Sequence, residues 1–420
     1  MTSIRTVVWI LVLAAGAATG AVSAEPANSI AQADGGSAAA AIDEKDAQAG
    51  GAQTGAADGD GETLVVADAR GKNGAKSKSK VKSKEAPKKP VVAAKQLFGA
   101  AKNAAPLAAR AIGYYSRGCL SGARQLPIDG PAWQAMRLSR HRNWGHPDLI
   151  RLVERLATEA QKKDGWPGLL VGDIAQPRGG PMLTGHASHQ IGLDADIWLT
   201  PMPNRRLSEK EREDLSATSM LAADDISVSS TVWTPEHVAL IKRAASYHEV
   251  ERVLVHPAIK KALCEAAGAD RAWLGKVRPY WGHYYHFHMR ISCPAGSTNC
   301  KHQQPVSGED GCGKELADWI KRVTPRPPAP PPPPGTKPAP KKPPPPPMTL
   351  EGLPPECREV ITAGNPGVPK PLLAKALEAA NSAKTAKAGT SADEKSADAG
   401  RKPADQKPTA GKVAKSAQQQ

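Results

Sequence analysis

The chain has 420 residues, with 56 Lys and Arg against 41 Asp and Glu and a formal net charge of +15. Length alone suggests two or three domains, but the ring-bearing residues argue against that: 15 of the 17 Phe, Trp and Tyr lie between Tyr114 and Trp319, and all 11 His lie between His141 and His302. Large aromatic side chains dominate core burial, and segments without them bury too little apolar surface to offset chain entropy, so one folded domain of about 220 residues is expected.

Residues 1–24 read as a signal peptide. Arg5 supplies the positive start, Val7 to Ala18 an apolar run, and Val22-Ser23-Ala24 a small-residue cleavage site before Glu25. The competing reading is an uncleaved anchor, but the run is short of the roughly 20 apolar residues a span needs. No later segment reads as a transmembrane span. Residues 25–105 are rich in Ala, Gly and Asp and then in Lys, with a dense basic run from Lys72 to Lys95, and read as a disordered linker.

The folded domain is expected over residues 106–322. Leu149, Leu152, Val153 and Leu156 have helical spacing within His146 to Lys162. Strands are expected at Leu169 to Val171 and at Leu193 to Leu199. A helix is expected from Pro235 to Tyr247, with Thr234 as N-cap and Pro235 at its first position. Val250 to Val255 reads as a strand, Pro257 to Ala267 as a short helix, and Tyr284 to Ser292 as an alternating strand. Helices and strands mix without a regular βαβ repeat, which indicates an α+β fold. Residues 323–348 are largely proline, including Pro343 to Pro347, and should form a polyproline II spacer. Residues 349–365 hold a short apolar piece with Cys357, expected to be tied back by a disulfide. Residues 366–420 read as a disordered basic tail carrying Lys384, Lys387, Lys395, Lys402, Lys407, Lys412 and Lys415.

Six cysteines follow the leader: Cys119, Cys264, Cys293, Cys300, Cys312 and Cys357. An even number in an exported chain suggests three disulfides, with about 15 pairings open. Cys293 and Cys300 are near enough to close a small loop, and the absence of a Cys-x-x-Cys pair weakens a cysteine metal cluster. In the periplasm, where an exported chain of this kind would act, the basic arms would meet anionic envelope polymers or lipid headgroups. Nucleic acid is the wrong partner for that compartment, and simple solubilising tails are the bland alternative.

Two clusters carry the candidate chemistry: Gly185-His186-Ala187-Ser188-His189-Gln190-Ile191-Gly192-Leu193-Asp194-Ala195-Asp196 and His283-Tyr284-Tyr285-His286-Phe287-His288. Neutral imidazole and carboxylate are the usual ligands of catalytic zinc, three of them leaving a position for water. On a strand, residues two apart share a face, so His286 and His288 would project together with Phe287 in the core, and Asp194 would pair with Asp196. His189 precedes that strand, with Gly192 free to turn the chain between them. A loop His, a strand Asp and a distant strand His could converge on one ion, with a neighbouring His as general base or charge stabiliser. Taken singly, a His-x-His or Asp-x-Asp is more often structural; two such clusters in one domain are harder to dismiss.

At these residues the chain resembles the LAS group of zinc peptidases, and within it the penicillin-insensitive murein endopeptidases (the MepA type). Gly185 to Asp196 carries the resemblance, with Gly145-His146-Pro147-Asp148-Leu149, Asp270-Arg271-Ala272-Trp273-Leu274, Lys276-Val277-Arg278-Pro279 and Met289-Arg290-Ile291-Ser292-Cys293-Pro294. It covers about residues 106–322 and the Cys357 segment. The resemblance implies a single zinc-peptidase domain with a central antiparallel sheet. It implies Zn2+ held by His189, Asp196 and His288, with His186 beside the metal, His286 as general base or transition-state stabiliser, and His283 lining the site. The D-Ala-D-Ala dipeptidase branch has Glu three residues before the last ligand; Tyr285 stands there, which argues against that branch. A second metal position in the family uses an acid and a His ahead of Val232-Trp233; Asp224 fits the acid, but Ser227 stands where the His belongs. The implied disulfides are Cys119–Cys357, Cys264–Cys312 and Cys293–Cys300. The implied reaction is hydrolysis of the D-Ala to meso-diaminopimelate cross-link of peptidoglycan, with no serine for penicillin to acylate. A D,D-carboxypeptidase of the same group, a non-catalytic envelope-binding protein and a zinc scavenger are the competing readings.

Overall fold

The computed structural model describes residues 91–306, 308–327, 333 and 345–382. The leader, the basic run up to residue 90, most of the proline-rich stretch and the tail lysines from Lys384 lie outside the described residues. Among the described residues no helix is long and apolar enough to cross a membrane.

The chain enters through helix α1 (Ala94–Ala100) and a hairpin of β1 (Arg110–Tyr114) with β2 (Arg117–Ser121). Short strands β3 (Arg124–Gln125), β4 (Asp129–Gly130), β5 (Trp133–Ala135) and β6 (Trp144–Gly145) lead into helix α2 (Pro147–Lys163). Then come β7 (Leu169–Val171), β8 (Asp194–Trp198), α3 (Glu209–Asp214), α4 (Pro235–Ser246), β9 (Val250–Val255), α5 (Pro257–Ala266), β10 (Val277–Pro279) and β11 (His286–Ile291). Helices α6 (Lys314–Val323) and α7 (Glu356–Thr362) follow. The expected helices and strands are present, mostly trimmed by a residue or two at their ends. Helix α2 starts where Pro147 can occupy the first turn and the His146 side chain accepts from Asp148 N at 3.2 Å.

The main sheet has seven strands in the order β10-β9-β11-β8-β7-β5-β4. Its centre, β9-β11-β8-β7, is antiparallel, while β10 joins β9 and β5 joins β7 in parallel. The alternation of side chains divides this sheet into two faces. Ala195 and Ile197 of β8 and Phe287, Met289 and Ile291 of β11 enter a core shared with Leu149, Leu152, Val153 and Leu156 of α2 and Leu240 and Ile241 of α4. The intervening residues are polar except Trp198 and are directly paired: Asp194 with Arg290, Asp196 with His288, and Trp198 with His286. One face therefore holds the sheet to its helices, and the other is released for chemistry.

A second apolar cluster brings together Leu97 and Phe98 of α1, Ile112 and Cys119 of the hairpin, and Cys357, Val360 and Ile361 of α7. This corrects two boundaries: residues 91–105 are not all disordered linker, and the chain stays ordered past 366, with residues 370–382 helical and Ala376 and Ala380 buried. The reason is that one ring, Phe98, and small apolar residues suffice when another part of the chain supplies the opposing surface. Cys119–Cys357, Cys264–Cys312 and Cys293–Cys300 are bonded. The first spans 238 positions and clasps α7 onto β2.

Candidate metal centre

Asp196 lies at the middle of the polar face. Its Oδ1 is 3.1 Å from His288 Nδ1, 3.5 Å from His189 Nε2 and 3.7 Å from His286 Nε2; its Oδ2 is 3.5 Å from His186 Nε2. Ligand atoms of His186, His189 and Asp196 all fall within 4.8 Å of one another, and this is the only such group of metal-binding side chains among the described residues. His189 Nε2 and Asp196 Oδ1 are buried without a hydrogen-bond partner. Buried polar atoms are normally satisfied, so two orphaned lone-pair donors 3.5 Å apart are what a cation site looks like, and the donor set fits zinc.

The ring tautomers are set from outside this shell, as imidazole ligands generally require. His189 Nδ1 lies 2.6 Å from Ile174 O, leaving Nε2 to face Asp196. His288 Nε2 lies 2.9 Å from Asp194 Oδ1, leaving Nδ1 inward. Fully buried Asp194 also accepts from His189 N at 3.0 Å and from Arg290 Nε at 2.5 Å, and Arg290 in turn packs over the Tyr115 ring at 3.7 Å. One carboxylate thus positions both implied histidine ligands. His186 Nε2 is 3.0 Å from Asp173 Oδ2, which also takes Arg142 at 2.7 Å and Arg140 at 3.3 Å.

The loop that carries His186 and His189 is pinned at several points. Gln190 donates to Ser116 O at 2.9 Å and Ala187 O at 3.1 Å, and accepts from Gly118 N at 3.2 Å. Gly192 turns the chain at φ +69, where an added Cβ would sit 2.4 Å from Leu120 Cδ2. His189 itself takes φ +64, a conformation disfavoured for a residue with a Cβ.

Charge is distributed unevenly around Asp196. Burial opposes ionisation of Asp196, but the surrounding His189, His286 and His186 hold its carboxyl well below the usual range. Burial pulls His288 down, yet Asp194 and Asp196 outweigh it and raise the ring to about 9. His189 is lowered, chiefly by burial, and His286 falls to about 4 for the same reason. His283 is also held low by burial and by the neighbouring His286 and His288. Its ring lies 5.0 Å from that of His286, and it takes φ +56 with its Nδ1 on Trp281 O.

His186, His189, Asp196, His283, His286 and His288 are therefore brought together. Asp224 is not: it is exposed, and its carboxylate caps a turn by accepting from Ile226 N at 3.0 Å and from Ser227 N at 2.9 Å. Sequence reading missed Asp173, Arg142 and the positioning role of Arg290, which stand outside the His clusters. It paired Asp194 with Asp196 on one face, but nothing in the sequence showed that Asp194 serves two histidines.

The chain matches the sequence model of the family described as Penicillin-insensitive murein endopeptidase over residues 111–362. It is 47% identical over 216 residues to a penicillin-insensitive murein endopeptidase of Haemophilus influenzae, covering 51% of this chain and 74% of that protein. A Klebsiella pneumoniae protein of the same description is 42% identical over 253 residues, covering 60% of this chain and 86% of the relative. One from Yersinia enterocolitica is 45% identical over 216 residues, covering 51% and 78%.

Proposed function

The chain belongs to the penicillin-insensitive murein endopeptidase family, and from that membership and the site geometry we infer a zinc-dependent hydrolase of the D-Ala to meso-diaminopimelate cross-link in peptidoglycan. The observation that carries the metal reading is the pair of orphaned buried atoms, His189 Nε2 and Asp196 Oδ1, on one polar sheet face. His189, Asp196 and His288 would hold Zn2+, with His186 beside them. Bound there, the ion supplies a Lewis acid for the scissile carbonyl and lowers the pKa of a water toward about 7.

The chain's own residues complete the chemistry. His286 has a buried Nδ1 without a partner and an Nε2 3.7 Å from Asp196 Oδ1. Held neutral by burial, it is suited to accept the proton of the attacking water and pass it to the leaving amine. His283, whose ring lies 5.0 Å away at a tilt of 44°, limits how the ring can turn. No serine or cysteine nucleophile takes part, so a β-lactam has nothing to acylate. The leader expected at 1–24 would deliver the enzyme to the periplasm, and the basic arms would hold it near anionic envelope surface. If a chain truncated to residues 91–382 binds sacculi at low salt as well as the full chain does, the arms have no such role.

The division of roles is tested by metal content and turnover of single variants. His286→Ala should retain about one zinc per chain and lose turnover. His189→Ala and His288→Ala should lose the metal itself. Equal metal loss in all three would contradict the assignment.

A further inference from the structure

Large apolar side chains exposed at the surface are worth explaining when they adjoin one another at a functional site. Tyr280 and Trp281 are consecutive and 48% and 36% exposed. They stand at the rim of the metal site. The Tyr280 ring is 5.6 Å from His283, which is 5.0 Å from His286. On its other side Tyr280 is 5.8 Å from the half-buried Trp319 of α6, whose ring carries the Arg322 guanidinium at 5.0 Å. An aromatic strip therefore runs outward from the site and ends in a cation.

The strip is built on rigid supports. Tyr280 N donates to Val255 O at 2.9 Å at the end of β10, and His256 N to His283 O at 3.0 Å. Between them Gly282 and His283 take φ +62 and +56. Helix α6 is held to the same edge by Arg278 with Glu315 at 2.8 Å and by the Cys264–Cys312 bond just before it. The backbone that carries Tyr280 and the helix that carries Trp319 are thus held in place.

We propose that Tyr280, Trp281 and Trp319 form a pyranose-binding platform that receives the glycan strand bearing the peptide under attack; this rests on the endopeptidase reading above. Aromatic faces bind the C–H face of a sugar ring, and Arg322 adds donors for hydroxyl or carboxylate oxygens at the platform's end. A peptide stem would bind differently: its charged groups call for cations and hydrogen-bond donors in place of flat apolar rings. A stem of about four residues spans at most roughly 14 Å when extended, enough to pass the two steps of 5.0 and 5.6 Å from His286 to the Tyr280 ring, where the platform begins.

The test uses the full chain and peptide-free glycan strands, with binding measured at salt high enough to suppress the basic arms. Trp319→Ala should weaken glycan binding by about three- to tenfold, and Trp319→Phe should keep most of it. Turnover of cross-linked peptide dimers freed of sugar should be unchanged in both variants. The platform is overturned if wild type does not bind the glycan, if Trp319→Ala binds it equally well, or if that variant loses turnover on sugar-free dimers to the same degree. Wild type that binds glycan but cuts no dimer would instead overturn the endopeptidase reading and leave the platform standing.

Discussion

The polar face of the sheet and the clasp formed by α1, the β1–β2 hairpin and α7 solve opposite problems. At the polar face, Asp194, Asp196, His189 and His288 are all at least nine-tenths buried, with Asp194 hydrogen-bonded to His189 N, His288 and Arg290 while His189 Nε2 and Asp196 Oδ1 have no partner. At the clasp, Phe98, Leu97, Val360 and Ile361 are fully buried, and apolar contact is reinforced by one disulfide. Within the clasp the fully buried Arg178 side chain donates to Asn103 O at 2.8 Å and to Val360 O, and its carbonyl accepts from Leu120 N at 3.0 Å. The lesson is that the face supplies chemistry and the clasp supplies stability, so the two should fail separately.

The sharpest break on the chemical side is His189→Ala, which should reduce bound metal from about one per chain to near zero and abolish turnover while the protein stays folded, as read by metal analysis beside circular dichroism. Next, Asp194→Ala should lower metal affinity by about 10–100-fold, since both the His288 tautomer and the His189 backbone lose their partner; competition with a chelator reads this directly. A variant with metal affinity like wild type would remove Asp194 from the positioning role.

On the clasp side, replacing Cys119 and Cys357 together by Ser should cost about 2–5 kcal/mol of stability and leave metal stoichiometry intact. Denaturant unfolding with metal analysis on the same samples checks both halves. If metal is lost in step with stability, the two regions are one cooperative unit and the comparison fails.

The smallest expected effect is a pH dependence that belongs to neither region. His256 caps α5 by accepting from Ala258 N at 3.2 Å, and burial lowers its pKa to about 4. The unfolded chain, near the ordinary value of about 6.5, binds the proton first as pH falls. Stability from this group is therefore fully present above about 6.5 and is lost toward pH 4. His256→Asn, which keeps a capping oxygen, should flatten the melting temperature across that window; an unchanged slope would assign the effect to other groups.

How legible each region was follows from the same contrast. The metal face was readable because strand alternation forces His286 with His288 and Asp194 with Asp196 onto one side, and because polar residues in a buried strand need a reason. The loop geometry was only half readable: Gly192 marked the turn, but nothing marked the positive φ at His189. Asp173 was invisible, being a lone acid after β7 that gains meaning only where Asp196 N donates to its carbonyl at 3.0 Å and His186 meets its carboxylate. The clasp was hidden for another reason. Its two halves are more than two hundred residues apart in sequence, each too poor in large apolar residues to read as folded, and only pairing makes them a core. The Cys357 segment was the exception, because a sixth cysteine in a chain expected to be exported asks for a partner.

The most direct test of the account is mass spectrometry of muropeptides released from cross-linked sacculi by the purified full chain, with penicillin present and with or without a chelator. The account predicts loss of D-Ala to diaminopimelate dimers with matching monomers appearing, unaffected by penicillin and stopped by the chelator. Unchanged dimers from zinc-loaded protein, or cleavage that persists after the metal is stripped, would contradict it.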